Sequence, residues 1–166
     1  MTICHKRKLI FVHIPKNAGT SIHSLFDTQL EDYLPDQKWD KYKEHFSEYW
    51  DSYTTFTVIR DPISRFISFY KYWRMNDLTD CDINEFVDNL DEIDTPLKDE
   101  QSSFICDNGK VMVDVLVRYE NLHQDLEKIN INDIPHLNSS ETFPIDLSKS
   151  SIDKLHQIYK EDFKLS

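Results

Sequence analysis

The sequence predicts an α/β fold in three layers, a sandwich with a mainly parallel central sheet. Three observations predict it. Short apolar runs at Leu9 to Ile14, Thr55 to Ile59 and Val111 to Val117 have the β-branched and aromatic content of buried strands. Helical spacing of apolar residues follows each run. Strands alternating with helices in this order form crossovers that make neighbouring strands parallel. The 166 residues suit one domain over 1–166, long enough to bury its core without disulfides or metals.

The first strand breaks at Pro15 into the polar loop Pro15-Lys16-Asn17-Ala18-Gly19-Thr20-Ser21, and a helix follows from near Gly19 through Ile22, Leu25 and Phe26. A loop entering a helix presents backbone N–H groups with no partner inside the helix, and the helix dipole adds partial positive charge there. That is an anion site. Lys16 adds a full charge, Thr20 and Ser21 add hydroxyls, and Gly19, one of only two glycines, lets backbone approach a ligand. The spacing is not that of the triphosphate loop, in which lysine directly precedes the hydroxyl residue. An ordinary strand-to-helix turn with a surface lysine fits the same letters.

Residues 31–53 have no clean period and read as a loop around Pro35 and a short helix or irregular lid through His45 and Tyr49. His45 is a side chain suited to proton transfer near neutrality, although by spacing alone it is an ordinary histidine among seven. The second strand ends at Arg60-Asp61-Pro62. Asp61 is placed to cap a helix with Pro62 in its first turn, and Ile63, Phe66, Ile67 and Tyr70 share one face. Arg60, at the carboxyl end of a parallel strand, sits where open α/β sheets bind ligands, and its guanidinium can fork onto phosphate. A structural ion pair with Asp61 is the other reading. Ser68 lies off the apolar face and can offer a hydroxyl to the same anion.

Residues 76–100 carry ten carboxylates around Ile83, Phe86, Val87 and Leu90, an amphipathic helix with a solvated acidic face. Gln101 to Asp107 suits a short helix, and Asp107-Asn108-Gly109-Lys110 a tight turn. The third strand passes through Arg118-Tyr119-Glu120-Asn121-Leu122 into a helix. A polar loop spans Pro135 and Asn138 to Ser140, and a last helix runs from Ser148 to Phe163.

Net charge is −11, which argues against a nucleic-acid binder. Two basic islands stand out against it: Lys6, Arg7, Lys8 and Lys16 against Asp27, and Arg60, Arg65, Lys71 and Arg74 against Asp61. They suggest a small anion held where the islands meet. Cys4, Cys81 and Cys106 are odd in number and contain no C-x-x-C pair, so reduced thiols in a cytoplasmic protein are expected rather than a disulfide framework or a zinc site. No run suits a signal peptide or a membrane span.

The segment His13 to Ser21, together with Val58-Ile59-Arg60-Asp61-Pro62-Ile63-Ser64-Arg65-Phe66-Ile67-Ser68-Phe69-Tyr70, resembles the two signature segments of sulfotransferases. The match is closest to the branch of carbohydrate and heparan 2-O sulfotransferases. Val117 to Leu122 and Ile158 to Phe163 are similar to the same branch. The resemblance implies a P-loop nucleoside triphosphate hydrolase-like fold and 3′-phosphoadenosine 5′-phosphosulfate (PAPS) as donor, with adenosine 3′,5′-bisphosphate as product and no metal. It implies that Pro15 to Ser21 wrap the 5′-phosphosulfate, that Arg60 and Ser68 hold the 3′-phosphate, and that His45 is the base beside Lys16. The acceptor, a carbohydrate or small molecule, is open. Asn17 replaces the threonine common at its position, and the loop around Asn138 to Ser140 is expected to complete the 3′-phosphate site. An ATP-dependent phosphotransferase and a non-catalytic bisphosphate-binding module are the alternatives.

Overall fold

The computed structural model describes residues 2–26, 33–34, 36–93, 95–132, 134–135 and 144–165. Its main sheet has four strands: β1 (Ile3–Cys4), β2 (Leu9–Phe11), β3 (Thr54–Ile59) and, after a small hairpin, β6 (Val115–Arg118). They lie side by side in the order β1-β2-β3-β6. β2, β3 and β6 are parallel, with Phe11 opposite Phe56 and Val58 opposite Val117, while β1 returns antiparallel on β2. The chain is thus a mixed α/β fold with a mainly parallel central sheet.

Alternation along the strands gives the sheet two apolar faces. Ile10, Val12 and Ile14 point to one side, where they meet Tyr42, Phe46 and Trp50 from α2 (Trp39–His45) and α3 (Ser47–Trp50), and Phe104 and Ile105 from α6 (Gln101–Ile105). Leu9, Phe11, Phe56, Val58 and Val117 point to the other, against Ile22 of α1 (Gly19–His23) and Leu126 of α7 (Leu122–Glu127). A third cluster packs Phe66, Phe69 and Tyr70 of α4 (Pro62–Met75) against Phe86 and Val87 of α5 (Ile83–Asp88) and Leu155 of α8 (Lys149–Ile158). Most of the aromatic density of residues 31–53 is spent in this interior. Tyr42, Phe46 and Trp50 are core.

Local signals set several element ends. Asp61 caps α4 by accepting from the Ser64 amide at 2.7 Å, with Pro62 in the first turn. Asp82 and Ser148 cap α5 and α8 in the same way. The Asn108-Gly109 pair, with φ of 47° and 78°, turns the hairpin of β4 (Cys106–Asp107) and β5 (Lys110–Val111).

Several expectations change: the first helix ends at His23 rather than Phe26, and Cys106–Asp107 is a strand rather than the end of a helix. The run Val111 to Val117 is two strands, not one. Asp114 stays exposed and turns its carboxylate onto β3, where it accepts from the Thr55 amide and hydroxyl, each at 2.8 Å, and the extended run is interrupted there. The first strand ends at Phe11 rather than Ile14, although the Val12 amide still reaches Phe56 O at 2.9 Å. The last helix ends at Ile158, and a 3-10 turn at Asp162–Lys164 follows. The expected loop at Asn138 to Ser140 lies outside the described residues.

Candidate functional site

The carboxyl ends of β2 and β3 open into a cavity of about 380 Å³. Pro15, Lys16, Ala18, Gly19, Thr20, Ser21, Arg60 and Ser68 all line it. Parallel pairing of β2 with β3 is what brings the two motifs to one place, because it sets both strand ends at the same edge of the sheet.

The loop is built from backbone strain rather than glycine. Lys16 and Ala18 both take the left-handed conformation, at φ 71° and 60°. For residues with a Cβ this costs roughly 1–2 kcal/mol each. Left-handed residues in succession with ordinary ones turn their N–H groups toward one concave point, a nest for an anion. Helix α1 starts at Ala18 with no side chain capping it.

Gly19 has a different reason from the one expected. Its missing Cβ makes room for the His13 ring, since a Cβ there would stand 2.0 Å from His13 Nε2. His13 lines the cavity beside the loop. Its Nδ1 lies 2.9 Å from Asp36 Oδ1, too oblique for a hydrogen bond, and its ring meets His23 edge-on at 5.0 Å between centroids. Gly19→Ala is therefore expected to destabilise the protein by about 1–3 kcal/mol through overpacking, against the helix-propensity gain such a change usually brings. Thermal unfolding of the variant reads the sign directly.

The two cations are held at rest by aromatic rings. Lys16 Nζ sits 4.2 Å from the centre of the Tyr72 ring, and the Arg60 guanidinium 4.1 Å from that of Tyr119. Arg60 also donates from Nη1 to Lys16 O at 3.3 Å, which joins the motifs directly. Among the described residues it makes no ion pair, and its buried Nε has no hydrogen-bond partner. The ion pair with Asp61 is replaced by this stacking.

Burial, and then the charge of Arg60, lower the Lys16 pKa; burial likewise lowers that of Arg60. Lys16 is thus lowered relative to the unfolded chain, so its charge disfavours the folded state at neutral pH and the cost lifts as pH rises through the lowered value. An anion in the cavity reverses the shift. Binding a multivalent anion is expected to take up protons on the alkaline side of neutrality and to weaken as pH rises. Calorimetry in buffers of different ionisation enthalpy measures this uptake.

Asn17 does not line the cavity. It is fully buried, and its Nδ2 donates to Val58 O at 2.8 Å and to Gln101 Oε1 at 2.6 Å, so its side chain serves as an internal strut. Arg65 is buried too. Its Nε donates to Pro15 O at 3.1 Å and its Nη1 to Asp99 O at 3.0 Å. Of the two basic islands only Lys16 and Arg60 reach the cavity; Lys6, Arg7 and Lys8 are exposed in the β1–β2 turn at the other end of the strand.

His45 is exposed at the end of α2 and does not line the cavity. It lies one turn beyond Tyr42, whose hydroxyl accepts from the His13 amide at 3.1 Å, so α2 borders the site without placing His45 in it. Among the described residues, His13, His23 and His123 are the histidines that line it. His13 was not among the expected site residues, although its place at a strand end beside an anion loop is a signal that could have found it. Gln101 and Arg65 carried no such signal, because a buried strut is recognised only by its partners.

The cavity suits an anion in its charge and donors: two partly buried cations, one with an unused donor, beside a loop with two left-handed residues. Among the described residues no group of three His, Cys, Asp or Glu is arranged to hold a metal, and no helix is long and apolar enough to cross a membrane. No curated protein and no solved structure matches the chain. The family model described as the Sulfotransferase family matches residues 1–165 of the 166. By that match, which takes in both motifs lining the cavity, the chain belongs to the sulfotransferase family.

Proposed function

We propose that the chain transfers a sulfuryl group from PAPS to a hydroxyl or amine of a carbohydrate or small-molecule acceptor. The observation that supports this reading is the meeting of Lys16 and Arg60 in one cavity, joined by the Arg60 contact to Lys16 O. PAPS supplies the activated sulfuryl group and leaves as adenosine 3′,5′-bisphosphate. Arg60 and Ser68 grip its 3′-phosphate, with the unused Nε of Arg60 as a ready donor. Pro15 to Ser21 cradle the 5′-phosphosulfate.

In the reaction the acceptor oxygen or nitrogen bonds to sulfur as the bond from sulfur to the bridging phosphate oxygen breaks. Lys16 leaves Tyr72 for that oxygen and stabilises the negative charge that collects there. The acceptor proton passes to His45 as general base. The reading has His45 reach an acceptor that bridges the cavity rim and the end of α2. The chain's own cations provide the positive charge, and the reading includes no metal. His45→Gln is expected to lower turnover by about 10²–10⁴ with bisphosphate affinity unchanged. If His13→Gln shows that signature and His45→Gln does not, the role of base belongs to His13.

The exposure of His45 also favours a second reading, a non-catalytic module that binds the bisphosphate. It predicts binding without turnover. Calorimetric titration with adenosine 3′,5′-bisphosphate, with magnesium-ATP as comparison, tests the site, and radiolabelled PAPS with an acceptor panel tests the reaction. Metal-independent binding of the bisphosphate supports the site. Indifference to it alongside magnesium-dependent ATP binding would overturn both readings.

A further inference from the structure

The anion loop and the Arg60 backbone are both held by one buried side chain. Gln101 Oε1 accepts from Asn17 Nδ2 at 2.6 Å and from the Arg60 amide at 3.0 Å, and Gln101 Nε2 donates to Arg60 O at 2.8 Å. Three hydrogen bonds from a residue 1% exposed thus fix the loop of the first motif to the strand end of the second. Arg65 adds a parallel tie, from Pro15 O to Asp99 O.

Gln101 is in turn held from the far end of the chain. The two oxygens of Asp162, itself 1% exposed, accept from the amides of Gln101 and Ser102, each at 2.8 Å. This caps α6, whose own preceding residue Glu100 supplies no side-chain cap. The Glu100 carboxylate instead accepts from the Glu161 amide at 2.7 Å. Tyr159 completes the grip by donating its hydroxyl to Leu97 O at 2.7 Å. Burial pushes that phenol up to about 12, so it remains a donor at neutral pH.

We propose that the C-terminal turn Tyr159 to Asp162 is the positioning element of the anion site, acting through Gln101 on Asn17 and Arg60. The turn touches no ligand in this scheme. It fixes segment 97–102, and that segment sets the distance between the Lys16 loop and Arg60. A reason follows for the strained loop: left-handed Lys16 and Ala18 persist because Asn17 between them is pinned. The sequence similarity of Ile158 to Phe163 to sulfotransferases acquires a physical meaning in the same way. The functional half of this inference rests on the sulfuryl-transfer reading, and the structural half does not.

Hydrogen exchange on the full chain tests it, using Asp162→Ala and Gln101→Ala, with exposed Lys160→Ala as the control in the same turn. The Asn17 amide, which donates to Ile14 O at 3.3 Å, is expected to exchange about tenfold faster in both variants, while the amides of β3 and of the Lys160→Ala protein keep their protection. The same two variants should weaken adenosine 3′,5′-bisphosphate about tenfold and raise the donor KM, with kcat at saturation little changed. Should Asp162→Ala fail to fold, Asp162→Asn, which keeps one acceptor oxygen, is read in its place and is expected to fall between wild type and Gln101→Ala. Unchanged protection of the Asn17 amide, or loss spread equally over β3, would overturn the proposal. If wild type binds no bisphosphate, the sulfuryl-transfer reading falls, and exchange alone decides whether the turn holds the loop.

Discussion

Replacing Lys16 with alanine is expected to lower sulfuryl-transfer turnover by about 10²–10³, the effect of removing a preorganised group that stabilises developing charge. The magnitude follows from where the lysine sits. It is half-buried, its pKa is lowered by that burial, and its Nζ rests on the Tyr72 ring 4.2 Å away rather than on a carboxylate. A cation kept away from counter-ions loses little when it moves to a ligand. PAPS affinity should change much less than turnover, because the bridging oxygen gains most of its charge only as the bond to sulfur breaks, whereas the bisphosphate product already carries that charge. Lys16→Gly separates chemistry from folding. At φ 71° glycine relieves strain, so this variant should unfold at the same or a higher temperature while losing the same turnover. Single-turnover rates with labelled PAPS decide the matter, and a loss of less than about threefold would remove Lys16 from the chemical step.

Replacing Arg60 with alanine is expected to weaken adenosine 3′,5′-bisphosphate by about 10²-fold, the cost of losing a forked, charge-assisted contact to phosphate. Arg60 has the geometry for it. The guanidinium stacks on Tyr119 at 4.1 Å, donates to Lys16 O, and keeps its buried Nε unused. Arg60→Lys should not restore the affinity, since an ammonium neither forks nor stacks as a plane. The main-chain amide and carbonyl of residue 60 stay bonded to Gln101 in either variant, so the fold should tolerate both. Calorimetry with the three proteins gives the comparison. Equal affinity for alanine and arginine at this position would mean that the 3′-phosphate binds elsewhere.

Much of this arrangement was legible before any fold was known, where the cause is local. Asp61 and Pro62 announced the start of α4 because a cap acts over three residues. Asn108-Gly109 announced its turn, though not the hairpin that the turn closes, because two left-handed residues suffice. The two motifs were legible as motifs because each is contiguous, and their expected site members line the cavity apart from Asn17; His45, from neither motif, does not line it. The third strand was misread where a distant side chain intervened. Nothing between Val111 and Val117 shows that Asp114 will turn toward Thr55.

By itself the sequence determined the alternation of three main strands with helices, the placing of the Lys16 loop and of Arg60 after strands, and the family the motifs belong to. Periodicity, caps and contiguous motifs are properties of neighbours along the chain, so they survive without a fold. Only the tertiary structure decided that Gly19 yields to the His13 ring, that the Asn17 side chain is buried as a strut, that His45 stands outside the cavity lining, and that Gln101 joins the two motifs. These depend on groups far apart in the chain, Asn17 with residue 101 and Gln101 with residue 162. A buried polar side chain has no pattern of its own; its role is set by whichever unpaired backbone group the packing brings within 3 Å.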